Sequence, residues 1–220
     1  MPAIKNTLKN GFILLLFSLL FTSNSHAVSQ SPNEMLQQAT TKMLRSINEN
    51  RDEIKKSPEK LKSLVEEIIL PHLDFIAASK AVMGKYWRRA EKTQKIKFIR
   101  QFRLLLLRFY SSALAEYLNG NDKKLNENLI HYFPSKLADG ETSLTVRAEI
   151  KPDTGKAIPM RYRVHLTKKG WKIYDVSVEG ISMITTYKNN FASQFKSEGI
   201  DALIASLEVK NKQLLADNGK

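Results

Sequence analysis

The chain has 220 residues, with 35 lysines and arginines against 22 acidic residues, a formal net charge of +13 and no cysteine. The absence of cysteine excludes disulfide bonds, a thiol nucleophile and a lipidated cysteine at the N-terminus. The positive charge indicates an anionic partner, either nucleic acid or the headgroup surface of a membrane, unless the lysines serve only solubility.

The first 27 residues are arranged like a secretory signal peptide. Two lysines precede the apolar run FILLLFSLLF, and small residues at Ser25 and Ala27 are placed for cleavage. The run is shorter than the roughly 20 residues that a membrane-spanning helix needs. We therefore expect cleavage after Ala27 and a single mature domain over residues 28–220. Export favours a membrane over nucleic acid as the anionic partner.

The first half of the mature chain is predicted to be helical. From Pro32 to Asn50, apolar residues recur at every fourth position, which is typical of an amphipathic helix. The segment SPEKLKSLVEEIILP predicts a second helix with Ser57 as its N-cap and Pro71 at its end. A short helical passage then runs through HLDFIAASKAVMGKYW and is interrupted at Gly84.

The longest predicted helix has Thr93 as its expected N-cap. Its apolar residues are spaced by three and four, at Phe98, Phe102, Leu105, Leu106, Phe109, Tyr110, Ala113 and Tyr117. Around RLLLLRFY the apolar surface is wider than one stripe. This helix must therefore be covered on more than one side, either by protein or by a ligand.

The pattern then changes to the alternation that is typical of β-strands. TSLTVRAEI, MRYRVHL and WKIYDVSVEG alternate apolar and polar residues, and LIHYF predicts a further strand. Helical patterns return after Gly180, in SMITTYKNNFASQF and GIDALIASLEVKNKQ. The expected fold is α+β, with an antiparallel sheet of about four strands covered on its apolar face by helices from both ends of the chain.

The loop KKG between the last two of these strands predicts a register, because Gly170 suits the left-handed position of a three-residue hairpin loop. The expected pairs are Thr167 with Trp171, Val164 with Tyr174, Tyr162 with Val176 and Met160 with Val178. On the solvent face, Asp175 would lie opposite Arg163. Glu179 would lie diagonal to Arg161. We therefore interpret the two acids as cross-strand partners of arginines rather than as a catalytic pair.

No pattern of catalytic residues emerges from the sequence. His72, His131 and His165 lie far apart and form no metal-ligand spacing. Asp74, in PHLDF, is embedded among apolar residues, and it suits either a buried general base or a helix cap. The abundant apolar and aromatic residues suit either a filled core or a ligand pocket, and the sequence does not separate these two.

Three segments carry a resemblance to a known family. LPHLDFIAASKAVMGKYWRRAEKTQKIKF contains Pro-x-x-Asp-Phe, Gly-x-Tyr-Trp and Gln94 ahead of Phe98, and WKIYDVSVEGISMITTYKNNF contains Tyr-Asp-x-x-x-Glu-Gly-x-Ser followed by Tyr and Phe. Together with GIDALIASLEVKN, they resemble the MlaC family of soluble periplasmic phospholipid carriers, also called the toluene-tolerance auxiliary component. The resemblance covers roughly Pro32 to Lys212, and Lys188 stands where the family more often has Arg.

The resemblance implies a soluble carrier in the periplasm that maintains the lipid asymmetry of the outer membrane. Its cargo would be a bound phospholipid, with no other cofactor, no enzymatic activity and no nucleic-acid partner. Its protein partners would be an inner-membrane ABC transporter complex with its substrate-binding ring and an outer-membrane lipoprotein-porin complex.

With this resemblance, the apolar residues are expected to surround the acyl chains. The candidate lipid-binding residues are Phe75, Val82, Met83, Trp87, Phe98, Phe102, Leu105, Leu106, Phe109, Tyr110, Tyr117, Val146, Val164, Tyr174 and Val176. Lys85, Arg88 and Arg89 are the basic residues expected near the phosphate. Two alternatives stay open: a small cone-shaped α+β enzyme with Asp74 as general base, and a periplasmic interaction protein with a filled core and no lipid.

Overall fold

The computed structural model of the protein describes residues 30–120, 123–152 and 155–217. The predicted signal peptide and its cleavage site lie outside these ranges. Within them, no helix combines the length and the apolar character that crossing a membrane requires.

Helices occupy both ends of the described chain. They are α1 Pro32–Glu49, α2 Arg51–Lys56, α3 Pro58–Leu64, α4 Phe75–Met83, α5 Lys85–Arg89, α6 Lys92–Asn119, α7 Met183–Ser197 and α8 Gly199–Asp217. A π-helical turn, Val65–Ile69, and a 3-10 turn, Leu70–His72, join α3 to α4. The predicted second helix therefore changes its geometry after Leu64, ahead of Pro71.

Local sequence explains where α1 begins. The Ser31 hydroxyl accepts a hydrogen bond from the Glu34 backbone N–H at 3.2 Å, and the Glu34 carboxylate accepts one from the Ser31 backbone N–H at 2.9 Å. This reciprocal pair satisfies two amide donors that a helix start leaves unpaired, and Pro32 has the backbone angle of a first helical residue. The predicted helix from Pro32 to Asn50 is confirmed to within a residue.

The N-cap of the long helix α6 lies two residues before the predicted one. Glu91 is the N-cap, and the Gln94 side chain accepts a hydrogen bond from the Glu91 backbone N–H at 3.0 Å. The prediction of Thr93 as the cap is wrong, because Glu91 and Gln94 together form the capping box and place Thr93 inside the first turn. With 28 residues, α6 is about 42 Å long.

The strands form one antiparallel sheet in the order in which they occur along the chain. They are β1 Ile130–Tyr132, β2 Ser143–Ile150, β3 Ile158–Thr167, β4 Gly170–Val178 and β5 Ile181–Ser182. The α+β prediction is confirmed. The sheet has five strands rather than about four, because the two residues of β5 pair with the end of β4. Strand β5 is too short to leave a periodic signal in the sequence.

The register between β3 and β4 agrees with the prediction at one end and differs at the other. Tyr162 pairs with Val176 and Arg163 with Asp175, as expected, and Gly170 has a φ of 84°. A β-bulge then shifts the ladder, so that Val164 pairs with Ile173, Leu166 with Trp171 and Thr167 with Gly170. The predicted pairs of Val164 with Tyr174 and of Thr167 with Trp171 are wrong, because the bulge inserts Tyr174 as an extra residue.

The core consists of three separate groups of buried apolar side chains. The sheet cluster joins Met35 and Leu36 of α1 to the apolar face of β2, β3 and β4. The α6–α8 cluster joins α4, α7 and α8 to the first half of α6. The α1–α3 cluster joins the second half of α1 to α2, α3 and the second half of α6. Helices from both ends of the chain thus cover the same sheet and the same central helix.

Candidate functional site

A large cavity lies where the three clusters meet. Its volume is about 720 Å³. Each cluster contributes to its wall: Phe102 and Ile184 come from the α6–α8 cluster, Leu36, Tyr162 and Ile173 from the sheet cluster, and Met43 and Ile47 from the α1–α3 cluster. The three groups of side chains do not merge into one core because this space separates them.

Helix α6 faces the cavity along much of its length. Leu106, Leu107, Tyr110 and Leu114 line it, and they recur at helical spacing on one side of α6. Another side of the same helix carries Phe98 and Leu105, which are buried in the α6–α8 cluster. The wide apolar surface predicted for this helix is therefore covered by protein on one side and faces the cavity on the other.

Helix α1 and the π-helical turn form the opposite part of the lining. Ala39, Met43, Leu44 and Ile47 of α1 lie at spacings of three and four, and Val65 and Ile69 of the turn are also part of the wall. None of these residues was a candidate at the sequence level, although the stripe on α1 was recognised. A stripe that faces a cavity has the same residue types and spacing as one that faces a filled core, so periodicity could not distinguish them.

Two buried tyrosines lie together on the sheet side of the cavity, with Tyr162 in the lining and the Tyr132 ring centroid 6.0 Å from that of Tyr162. Burial raises the pKa of Tyr162 and of Tyr132 above the usual range. The Tyr132 hydroxyl lies 2.6 Å from the Thr40 hydroxyl, within hydrogen-bond distance. A phenol is already protonated at neutral pH, and burial favours that neutral form further, so Tyr162 presents no phenolate to an apolar ligand.

Asp74 lies at the edge of the cavity and joins α4 to the sheet. One carboxylate oxygen accepts a hydrogen bond from the Ala77 backbone N–H at 2.8 Å, as a helix cap does. The other lies 2.9 Å from His165 Nε2. The Asp74 backbone N–H also donates to the Ile173 carbonyl at 2.8 Å. Of the two roles considered for Asp74, these contacts favour the helix cap over the general base.

Asp175 is buried rather than exposed on a solvent face. Its side chain is 1% exposed, and Arg163 Nη1 lies 3.8 Å from it. The carboxylate accepts hydrogen bonds from the Ser182 hydroxyl at 2.8 Å and from the Ile184 backbone N–H at 3.1 Å. The predicted pairing with Arg163 holds, but Asp175 mainly joins β4 to the N-terminus of α7, where a negative charge is favourable. Glu179, with a φ of 51°, belongs to the turn after β4.

One end of the cavity reaches the protein surface. Tyr110 and Tyr117, on the second half of α6, are 45% and 55% exposed and belong to the lining. The exposed residues Lys123, Lys124 and Asn126, which follow α6, also line the cavity. We call these five residues the rim. The rim combines aromatic and basic side chains, whereas the lining deeper along α1 and α6 is mostly aliphatic.

The structure brings together about half of the candidate lipid-binding residues at the cavity. Those in its lining are Phe75, Phe102, Leu106, Tyr110, Tyr117, Tyr174 and Val176. Val82, Met83, Phe98 and Leu105 are instead buried in the α6–α8 cluster, with Trp87 packed against it, and Val146 and Val164 are buried in the sheet cluster. Phe109 is exposed, edge-on to the Tyr110 ring. These eight residues lie outside the cavity lining.

The basic residues expected near a phosphate lie elsewhere on the surface. Lys85 and Arg88 line a second, smaller groove beside α4 and α5, which also contains His165. Arg89 is exposed and belongs to neither lining. Tyr174, at the β-bulge, borders both the cavity and this groove. In residues 30–120, 123–152 and 155–217, no cluster of three or more His, Asp or Glu side chains is placed to hold a metal ion.

Comparison with known proteins identifies the family. The sequence matches the family described as MlaC protein over residues 37–209. The intermembrane phospholipid transport system binding protein MlaC of Haemophilus influenzae is 27% identical over 221 residues, covering 96% of this chain and 97% of its own. The toluene tolerance protein ttg2D of Pseudomonas putida is 28% identical over 197 residues, covering 88% and 85%.

A solved structure has the same fold. It is that of a phospholipid-binding protein from Ralstonia solanacearum in complex with a phospholipid. It is 30% identical, with a TM-score of 0.71, and the match covers 82% of this chain and 97% of that one. On the family match and these relatives, the chain belongs to the MlaC family.

Proposed function

We propose that this protein is a phospholipid carrier that holds acyl chains in the cavity between α1, α6 and the sheet. The cavity itself is the observation that carries the proposal. If a methylene group takes about the volume of a water molecule in the liquid, about 30 Å³, a chain of about 15 carbons needs about 450 Å³. The cavity, at about 720 Å³, has room for at least one such chain. The phospholipid complex of the Ralstonia solanacearum relative supports the same assignment.

An apolar cavity is what such transport requires. Moving a methylene group from an apolar environment into water costs about 0.8 kcal/mol, so a chain of about 15 carbons would cost about 12 kcal/mol to carry bare through water. A carrier has to offset most of this free energy, or the lipid stays in its membrane. The aliphatic residues of α1 and α6 supply such an environment. The candidate residues of the lining outside the rim, namely Phe75, Phe102, Leu106, Tyr174 and Val176, are proposed to contact the chains.

The rim is proposed to hold the phosphate end of the lipid. An exposed basic residue, Lys124, and exposed aromatic residues, Tyr110 and Tyr117, meet there. A charged headgroup stays near water because burying it without partners is costly. We therefore assign the phosphate to the rim rather than to the groove of Lys85 and Arg88, which belongs to a different part of the surface.

The carrier is proposed to work in the periplasm after removal of residues 1–27. One relative is named as a binding protein of an intermembrane phospholipid transport system, which supports a place between two membranes. We propose that it exchanges lipid with an inner-membrane ABC transporter complex that has a substrate-binding ring and with an outer-membrane lipoprotein-porin complex, and so maintains outer-membrane asymmetry. In this proposal the phospholipid is cargo and is not chemically changed.

The test is to purify the mature protein from the periplasm without detergent, extract it with organic solvent and identify bound lipid by mass spectrometry. We expect phospholipid in near-stoichiometric amount. A protein that carries no lipid, and takes up none from phospholipid vesicles, would overturn the proposal.

A further inference from the structure

One hydroxyl at the cavity wall has no partner in the protein. Ser111, on α6, lines the cavity and is only 7% exposed. Its Oγ is buried and has no hydrogen-bond partner among the described residues. A buried hydroxyl is normally bonded, because removing it from water without a partner is unfavourable.

Other helical hydroxyls of this protein bond to their own helix. The neighbouring Ser112 donates to the Arg108 carbonyl at 2.8 Å, and Ser63 and Thr186 likewise donate to the carbonyl four residues earlier. Ser79 also has an unpaired buried Oγ, but it lies away from the cavity lining. What distinguishes Ser111 is an unpaired hydroxyl at the wall of a space that can take a ligand.

The position of Ser111 along α6 indicates which part of a lipid it would meet. It lies between the two rim tyrosines of α6, directly after Tyr110 and six residues, or about 9 Å along the helix axis, before Tyr117. Around it the wall is aliphatic, with Leu107 and Leu114 one turn to either side. The depth suits the junction between headgroup and acyl chains. The ester carbonyls lie at that junction, and they are neutral acceptors that can be buried once they are hydrogen-bonded.

We propose that the Ser111 hydroxyl donates a hydrogen bond to an ester carbonyl oxygen of the bound phospholipid, and that it thereby favours ester-linked over ether-linked lipid. This inference rests on the proposed carrier function. An ether linkage has no carbonyl, so an ether lipid cannot make this hydrogen bond. Ser111 would then set how deeply the lipid sits in the cavity.

The experiment loads the mature protein from vesicles that contain equal amounts of a diacyl phospholipid and its dialkyl ether analogue, and measures the bound ratio by mass spectrometry. The variants are Ser111→Ala, which removes the hydroxyl, and Ser112→Ala as the matched control. The two lipids also differ in the vesicle, so the informative quantity is the bound ratio of each variant relative to that of the unmodified protein. We expect Ser111→Ala to lower the ester-to-ether ratio about fivefold, the effect of one hydrogen bond of about 1 kcal/mol.

Ser112→Ala should leave the ratio unchanged. An equal ratio for the unmodified protein and Ser111→Ala would overturn the inference while leaving the carrier function intact. An equal fall in both variants would also overturn it, because the effect would then come from helix α6 rather than from this hydroxyl. If none of the three proteins takes up either lipid, it is the carrier function that fails.

Discussion

A carboxylate placed in the cavity wall should expel the lipid without unfolding the protein, and Leu106→Asp is the substitution that tests this. Leu106 lines the cavity and is only partly buried. Phe102 also lines the cavity, but it is 1% exposed, and its ring packs against Phe98 and Tyr187 with centroids 5.7 Å and 5.2 Å apart. Phe102→Asp would disrupt the α6–α8 cluster, so Leu106 separates binding from folding more cleanly.

The expected loss of affinity combines two effects. An Asp side chain that keeps its water displaces about two or three methylene groups of the acyl chain, at about 0.8 kcal/mol each. An Asp that gives up its water instead meets a desolvation penalty of several kcal/mol. Either route, or a mixture of both, weakens binding by roughly 2 to 4 kcal/mol, which is about 30-fold to 1,000-fold in the dissociation constant.

The assay is detergent-free purification followed by lipid extraction and mass spectrometry, with circular dichroism to confirm the fold. Leu104→Asp is the matched control, because Leu104 is also partly buried on α6 but lies outside the cavity lining. We expect Leu106→Asp to be folded and nearly free of lipid, and Leu104→Asp to keep its lipid. Full lipid occupancy in a folded Leu106→Asp protein would refute the assignment of the cavity to acyl chains.

Three further predictions concern the residues that shape the cavity. Asp175→Ala leaves the Ser182 hydroxyl and the Ile184 N–H without their acceptor. It should therefore lower the free energy of unfolding, measured by urea titration, by about 2 to 4 kcal/mol. A loss smaller than the error of the titration would contradict the role given to this carboxylate. Asp74→Asn should lower the free energy of unfolding by only about 1 kcal/mol, because it weakens the partly exposed pair with His165. The amount of extracted lipid should be unchanged. A lipid-free variant would contradict this and would show that the pair shapes the cavity. Burial raises the pKa of Tyr162, so its neutral phenol contributes fully to the free energy of unfolding below the unfolded pKa of about 10, and this contribution is lost as the pH rises above that value. In urea titrations, the free energy of unfolding should therefore change less between pH 8 and pH 11 for Tyr162→Phe than for the unmodified protein. An equal change in the two proteins would contradict this.

Sequence periodicity accounts for most of the fold. The stripe on α1, the width of the apolar surface on α6 and the alternation in β2, β3 and β4 each follow from side chains that must be buried on one face. The left-handed Gly170 was predictable because a tight hairpin needs that conformation. The bulge at Tyr174 was not, because inserting one residue into a strand leaves the alternation on each side intact.

The candidate site was harder to predict than the fold, and the acid Asp175 and the leucine Leu106 show two different reasons. An acid opposite an arginine predicts an exposed pair, yet Asp175 is buried because α7 starts directly above it and its N-terminal amides need an acceptor. Leu105 and Leu106 are indistinguishable by residue type, but Leu105 is buried in the α6–α8 cluster, whereas Leu106 is partly buried against the same cluster and also lines the cavity. Only the packing of α1, α6 and the sheet determines which apolar residues face the cavity.

The most direct measurement of the central claim is photo-crosslinking with a phospholipid that carries a diazirine in the middle of one acyl chain. The mature protein is loaded from vesicles, irradiated, and its modified peptides are mapped by mass spectrometry. The account predicts crosslinks within residues 39–47 of α1 and 102–114 of α6, the two segments that carry the helical part of the cavity lining. Crosslinks confined to the groove of Lys85 and Arg88, or to the outer surface, would contradict it.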